Sequence, residues 1–435
     1  MLKFIVVLML LLVALTAFGQ DGFGDIFDSD EMAAETQKSL NISGEAGFEY
    51  KSYFDNSWDS ERIISPFVNL DLQFGSDSVE GKLLFNIDAG DMDSNITMDN
   101  LIDELSLRTF FSFGYLDLGL FKTEWGKGDG IHVIDPLNPL DQSNGISNDI
   151  NEIKRSEILA KINFYIGDNG LLELVYKPNF HPMETASSGR WIVKDLPLPL
   201  NTDTIPDTES PAYSQAAARL TTTLGIFDLG GMYYYGFISE PGYYTSYTDI
   251  GDLSSYKMNL VFTKAQLFGL EAGWALGPFT FRTEGGYWLT EDSEGTTAYL
   301  YNDRVVWLAG FDIMIPGTGI FLSVQEFGSY VFDFETINPS DVDFGMSYGD
   351  TEFTNTIIAA AEGSFYKDKM KLRLAALYLF EANGYLLMPT YSWNIEDDLE
   401  LEISAQIFGG DDEGPNPYYA WDDNDSITCG IKYIF

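Results

Sequence analysis

Cysteine, histidine and basic charge are all scarce in this chain. One cysteine, Cys429, occurs among 435 residues, which excludes an intrachain disulfide framework. The two histidines, His132 and His181, fall in separate segments, whereas a zinc site needs about four ligands of the Cys/His kind. His132 stands near Asp129 and Asp135, but such a pairing is common by chance in an acidic loop, so no catalysis, metal or cofactor is expected. Asp422-Asp-Asn-Asp425 offers oxygen ligands for Ca²⁺ but lacks the glycine spacing of an EF-hand loop. Gly126, Gly128 and Gly130 follow no βαβ pattern and open no helix, so they form no phosphate loop. Basic residues number 24 against 67 acids, a formal charge of −43, which excludes nucleic acid as a partner. After the amino end, no apolar run reaches the about 20 residues that a spanning helix needs. No Pro/Ser-rich linker divides the sequence, so its length reads as one large unit.

Aromatic residues, in contrast, are abundant at 15%, with 25 Tyr, 32 Phe and 8 Trp. Mean hydropathy is nevertheless −0.07. Extended segments with one apolar and one polar face average to such a value. The alternation starts at Leu40, where Ile42, Gly44, Ala46, Phe48 and Tyr50 oppose Ser43, Glu45, Gly47, Glu49 and Lys51. Runs around Val68 to Phe74 and Leu83 to Ile87 repeat it. Hairpins follow: Ile158 to Ile166 with Leu171 to Tyr176, Arg219 to Ile226 with Leu229 to Phe237, Ala272 to Leu276 with Phe279 to Tyr287. Three more are Val305 to Ile315 with Ile320 to Val331, Ile357 to Tyr366 with Met370 to Phe380, and Tyr385 to Ile395 with Leu399 to Phe408. The turns within them are short and carry Gly, Asn, Asp or Pro, as tight turns require. The connections between them are longer and acidic. Glu381-Ala-Asn-Gly384 is a short exception. Tyr256 to Ala275 reads as one long strand, because two would leave the ends on opposite sides.

The closing segment, Ser426 to Phe435, puts Ile427, Cys429, Ile431, Tyr433 and Phe435 on one face and ends on an aromatic residue. It resembles the insertion signal of Gram-negative outer-membrane barrels, with Ile431, Tyr433 and Phe435 as its residues. Trp125-Gly-Lys-Gly-Asp-Gly-Ile-His followed by Asn138-Pro139 resembles a motif of an uncharacterised, porin-like family of such barrels. Leu171 to Pro178 and Gln215 to Arg219 fit the same family, over the middle half of the chain. The resemblance implies an all-β fold: a transmembrane antiparallel up-and-down β-barrel of about 18 strands, with 16 as the alternative, short periplasmic turns and long extracellular loops. Lys3, the apolar run Phe4 to Val13 and the small residues Ala17 and Gly19 predict a signal peptide over 1–19, cut before Gln20. Its removal takes Lys3 and no acid, leaving a charge of about −44. Residues 20–38 read as an acidic periplasmic leader and 39–435 as the barrel in the bacterial outer membrane. The expected partners are outer-membrane lipid and lipopolysaccharide, the barrel-assembly machinery through the last strand, and small solutes.

Two sets of residues carry the functional reading. The Gly- and Pro-rich loop with Trp125, Gly126, Asp129, Asp135, Asn138, Pro139 and Asp141 either folds into the lumen as a constriction or caps the surface. By alternation, Lys82, Arg108, Lys161, Arg219, Arg282 and Arg373 share the polar faces with Glu80, Asp88, Glu104 and Glu284. Opposed basic and acidic rows across a lumen create a transverse field that selects small hydrophilic solutes. The alternative is that these charges pair and close the lumen. The sequence therefore points to passive diffusion of small hydrophilic solutes, cations favoured by charge. The alternatives are a surface-exposed adhesin or binding barrel with a plugged lumen, and a transporter of hydrophobic compounds.

Overall fold

The computed structural model describes residues 39–54, 62–88, 101–147, 150–186, 189–192, 198–334, 341–343, 351–411 and 416–435. The segments expected to be signal and leader, 1–38, lie outside the described residues, as do 55–61 and 89–100.

Eighteen strands form a single sheet. In chain order they are Ser39–Tyr53, Arg62–Gly75, Val79–Asp88, Ile102–Phe111, Gly114–Phe121, Glu157–Ile166, Gly170–Lys177, Gln215–Leu224 and Phe227–Phe237. The remainder are Lys264–Leu276, Phe279–Thr290, Arg304–Ile315, Ile320–Val331, Phe353–Phe365, Met370–Leu379, Gly384–Glu396, Leu399–Gly409 and Ser426–Ile434. Each is antiparallel to its neighbours in sequence. Ser39–Tyr53 pairs on one side with Arg62–Gly75 and on the other with Ser426–Ile434, from Glu45 opposite Ile434 to Tyr53 opposite Ser426. The sheet is thus a closed antiparallel barrel, and no strand presents an open edge.

Closure follows from which side is apolar. In Lys264–Leu276, Leu270 is 71% exposed on the outer face while the next residue, Glu271, is 5% exposed on the inner one. Leu220, Leu174, Leu374 and Ile403 are likewise exposed outward. Such a surface is stable against hydrocarbon, where an unpaired backbone group would cost several kcal/mol. Rings gather in two outer bands. Phe111, Phe113 and Phe164 stack near the short-turn end, as do Phe227, Trp274, Phe281, Phe279 and Phe311. Tyr287, Phe332, Tyr330 and Phe353 form part of the band at the long-loop end. Amphipathic rings at both interfaces are expected of a membrane barrel.

Short turns join the strands at one end. Gly225 and Gly277 open two of them at φ of 64° and 61°, a left-handed geometry that glycine adopts without a Cβ penalty. The described parts of the long connections lie at the other end and contain two small sheets of their own. Asp141–Gln142 pairs in parallel with Glu184–Thr185, and Gly242–Ser246 pairs antiparallel with Lys257–Val261. The second pair corrects the reading of Tyr256 to Ala275 as one strand. The chain leaves the loop hairpin after Val261 and enters the barrel at Lys264. Phe262 and Thr263 between them are buried at the rim, so apolar pattern continues across the break.

Candidate functional site: a lumen crossed by two loops

The inner wall is built from ion pairs between adjacent strands. Lys82 meets Glu104 at 2.8 Å, and Arg108 meets Asp117 at 2.6 Å. Lys161 lies 3.6 Å from Asp117 and 3.8 Å from Glu173. Arg219 joins Glu173 at 3.2 Å to Glu271 at 2.6 Å. Arg282 pairs with Asp312 and lies 3.8 Å from Asp129. Arg373 faces Glu362 in the strand register, and Glu80 faces Arg108. Basic and acidic groups therefore alternate along one wall. This differs from the opposed rows that the sequence suggested, because antiparallel register brings complementary inward residues of neighbouring strands within reach.

Residues 122–147, which follow Gly114–Phe121, lie against that wall, and 150–156 lead into Glu157–Ile166. Trp125, Ile134 and Leu137 are fully buried among Phe121, Leu159, Val175, Ala217, Met232, Tyr234 and Leu267. Glu284 is the peg around which the loop folds. Its carboxylate accepts the N–H groups of Lys127 and Gly128 at 2.7 Å and of Val133 at 2.9 Å. His132 Nδ1 is 2.9 Å from Glu284 Oε1, and its Nε2 is 3.0 Å from Glu124 Oε1. Burial opposes charge on His132, but Glu284, then Asp135 and Glu124, outweigh it and raise its pKa above the usual 6.5. Gly126 has a φ of 122°, and a Cβ there would overlap Glu284 and the His132 ring. Only glycine lets the backbone lie this close to the carboxylate.

The other loop residues singled out by sequence organise the same fold. Asp129 exchanges two 2.8 Å hydrogen bonds with the Gln325 amide through its backbone. Asp135 is buried against Lys154; burial raises its pKa while Lys154 and His132 oppose the shift. Asn138 accepts from Thr123 N–H at 2.8 Å and donates to Phe121 O at 3.2 Å and Arg155 O at 2.8 Å. The Pro139 carbonyl accepts from Arg155 N–H at 2.9 Å. Asp141 caps a turn through Ser143, at 2.9 Å to N–H and 2.6 Å to Oγ.

A second crossing loop, not singled out by sequence, is described over 178–186, 189–192 and 198–214. It leaves from the seventh strand and returns to the eighth, yet it docks on the seventeenth and its neighbours, nine strands round the ring. Trp191 makes edge contacts with Tyr53, Phe408 and Trp421 at centroid distances of 6.4, 5.8 and 5.6 Å. Arg190 stacks on Tyr53 at 3.8 Å and donates to Asn424 Oδ1 at 3.1 Å. Gln406 of the same far wall donates to Ile146 O at 2.7 Å, so the first loop reaches that side too. At its root, His181 Nδ1 is 2.8 Å from Glu157 Oε2 and Nε2 is 3.0 Å from Glu209 Oε1. Lys177 ties the roots together, 3.2 Å from Glu157 and donating to Leu137 O at 3.0 Å. The parallel pair Asp141–Gln142 and Glu184–Thr185 joins the two loops into one strap. The sequence signal was a tryptophan in each of two long connections, at 191 and at 421.

The Asp422-to-Asp425 segment is committed to protein contacts. Asn424 Nδ2 donates to Arg190 O at 3.0 Å, and Asp425 Oδ1 accepts Phe408 N–H at 2.7 Å. No group of three metal-ligating side chains occurs among the described residues. In the closing strand, Ile431 stands opposite Phe48, and Tyr433 and Phe435 are exposed outward with stacked rings.

An 18-strand closed antiparallel barrel with a polar, loop-crossed lumen is the fold of outer-membrane porins. Among solved structures, Pseudomonas aeruginosa OccK3 is similar over 92% of this chain and 96% of its own, at 9% identity and a TM-score of 0.52. OccK11 of the same organism matches over 92% and 96% at 11% identity and a TM-score of 0.51. OccK5 matches over 92% and 98% at 10% identity and the same TM-score, 0.51. At such identities the likeness is one of fold. No protein-family model and no curated protein matches the chain.

Proposed function

We propose that this protein is an outer-membrane channel for passive diffusion of small hydrophilic solutes. The carrying observation is a closed ring that is apolar outside and lined inside by paired charges. A barrel of this strand number encloses more space than its own side chains fill, and two ordered loops narrow it. Membrane lipid and lipopolysaccharide contact the outer face, and the closing strand presents itself to the assembly machinery. The catalogue of wall charges supports cation preference. Lys432 lies 3.3 Å from Glu45 and 3.8 Å from Glu400, with Glu402, Glu49 and Asp71 on the same inward faces. Acids therefore outnumber bases on the wall around the seam.

Conductance of the purified protein in planar bilayers tests this reading. Discrete, voltage-stable steps with a reversal potential favouring K⁺ over Cl⁻ are expected. Charge reversal at Arg108, Arg219 and Arg282 is expected to increase that preference; selectivity unmoved by all three removes them from the permeation path. A second reading, a surface-exposed binding barrel with a closed mouth, is favoured by the docking of both loops on the far wall. Silent bilayers at every voltage support that reading against the channel.

A further inference from the structure

His132 and His181 are the only histidines in the chain, and they occupy the same chemical setting. Each projects from a lumen-crossing loop. Each has a buried wall glutamate at Nδ1 and an exposed loop glutamate at Nε2: Glu284 and Glu124 for His132, Glu157 and Glu209 for His181. A carboxylate accepts and does not donate, so a ring bridges both of its glutamates fully only as the imidazolium, which donates from both nitrogens.

We infer that the two histidines are a paired, proton-controlled fastening that holds the loops across the lumen and releases their outer arms when the protons leave. The wall carboxylates keep other donors after deprotonation. Glu284 still accepts three backbone N–H groups, and Glu157 still faces Lys177. The proton therefore stays on Nδ1, and Nε2 turns a lone pair toward Glu124 or Glu209. Glu124 then loses that partner, and Glu209 keeps only the Asn179 amide, which donates to its Oε2 at 3.1 Å, so both outer arms loosen.

Other charged groups around the rings bear on the same balance. His132 also faces Asp135, which Lys154 partly neutralises. Near His181 stand Lys177, whose neighbour Arg155 pairs with Glu184, and the amide of Asn179. The raised pKa of His132 sets the direction for the first loop: its fastening is complete below the ordinary value of 6.5 and is lost as pH rises through the higher folded value.

The inference deepens the channel reading, but its test does not depend on conduction. A nitroxide is placed at Asp129→Cys in the first loop or at the exposed Thr185→Cys in the second, with Cys429→Ala removing the native thiol. Spectra of the refolded barrel are taken from about pH 5.5 to about pH 9, a range that brackets histidine titration. Loss of the immobilised component is expected as pH rises. His132→Lys with His181→Lys, which keeps a cation at each place, is expected to hold the loops at all pH. His132→Gln with His181→Gln is expected to leave them mobile throughout. A wild-type spectrum that does not change, or an identical pH change in the double Gln variant, overturns the fastening. Bilayer recordings on the same variants separate the two ideas: label release without current retains the fastening and rejects the channel.

Discussion

Trp421 donates its indole N–H to the carbonyl of Trp191 at 3.0 Å, joining positions 230 residues apart. One belongs to the loop before the last strand, the other to a loop rooted across the barrel. With Phe408 and Tyr53 they build an apolar clasp inside a polar mouth. Trp191→Ala removes the centre of it. Truncating a buried Trp typically costs about 3–5 kcal/mol. Because a loop can detach without unfolding the wall, the expected outcome is a freed strap: larger current steps and rapid tryptic cleavage after Arg190. Unchanged steps and protection at Arg190 contradict it.

Gly126→Ala is expected to dislodge the first loop while the barrel still forms. The added methyl overlaps Glu284 and His132, and the positive φ strains any L-residue. Glu284→Gln is a milder version: its one amide oxygen still accepts from the Lys127 and Gly128 N–H groups, while the Val133 N–H loses its acceptor and the charge opposite the imidazolium is gone. Each charge-assisted bond lost weakens the site by about 1.5–3 kcal/mol. Acrylamide quenching of tryptophan fluorescence, rising more for Gly126→Ala than for Glu284→Gln, checks the order.

Arg219 sits between Glu173 and Glu271 with 12% of its side chain exposed. Arg219→Ala leaves two carboxylates facing each other in a poorly hydrated wall. Breaking a buried pair by removing one partner typically costs about 3–5 kcal/mol. A clear fall in the urea midpoint is expected, with Arg219→Lys lying between the variant and wild type. Equal midpoints for Arg219→Ala and wild type reject a structural role for the pairing.

Asp341, in the long-loop region, has its pKa raised to about 6 by burial and by the charges of Asp343 and Asp292. The folded state therefore binds a proton more tightly than the unfolded chain. The stability that this group contributes is complete below its ordinary value of 3.8 and is lost as pH rises through about 6. The change is about 1 kcal/mol once solvent screening is allowed for. Thermal midpoints measured across this range should fall for wild type and stay flatter for Asp341→Asn.

Much of the wall was legible because strand alternation and turn chemistry are local. Leu399 to Phe408 and Ile320 to Val331 lie within a residue of the observed strands, since the turn before each fixes the register. The loops were not legible in the same way. Nothing local couples Trp191 to Trp421, or Gly126 to Glu284, and only folding brings them together. The break after Val261 was hidden for a related reason: Phe262 is buried at the rim, so it continues an apolar pattern that the backbone does not. The pairing of the wall charges, such as Arg219 with Glu173 and Glu271, depends on stagger between strands, which a single sequence does not fix.

Gly44 and Phe435 exchange backbone hydrogen bonds at 2.9 Å in both directions, and the Phe435 ring lies over the glycine. The seam of the ring therefore joins strands that stand some hundreds of residues apart in the sequence. Every other pairing in the sheet links strands adjacent in sequence, so this one carries by far the largest loop-closure cost, and pairing of that kind is intrinsically slow beside a local hairpin.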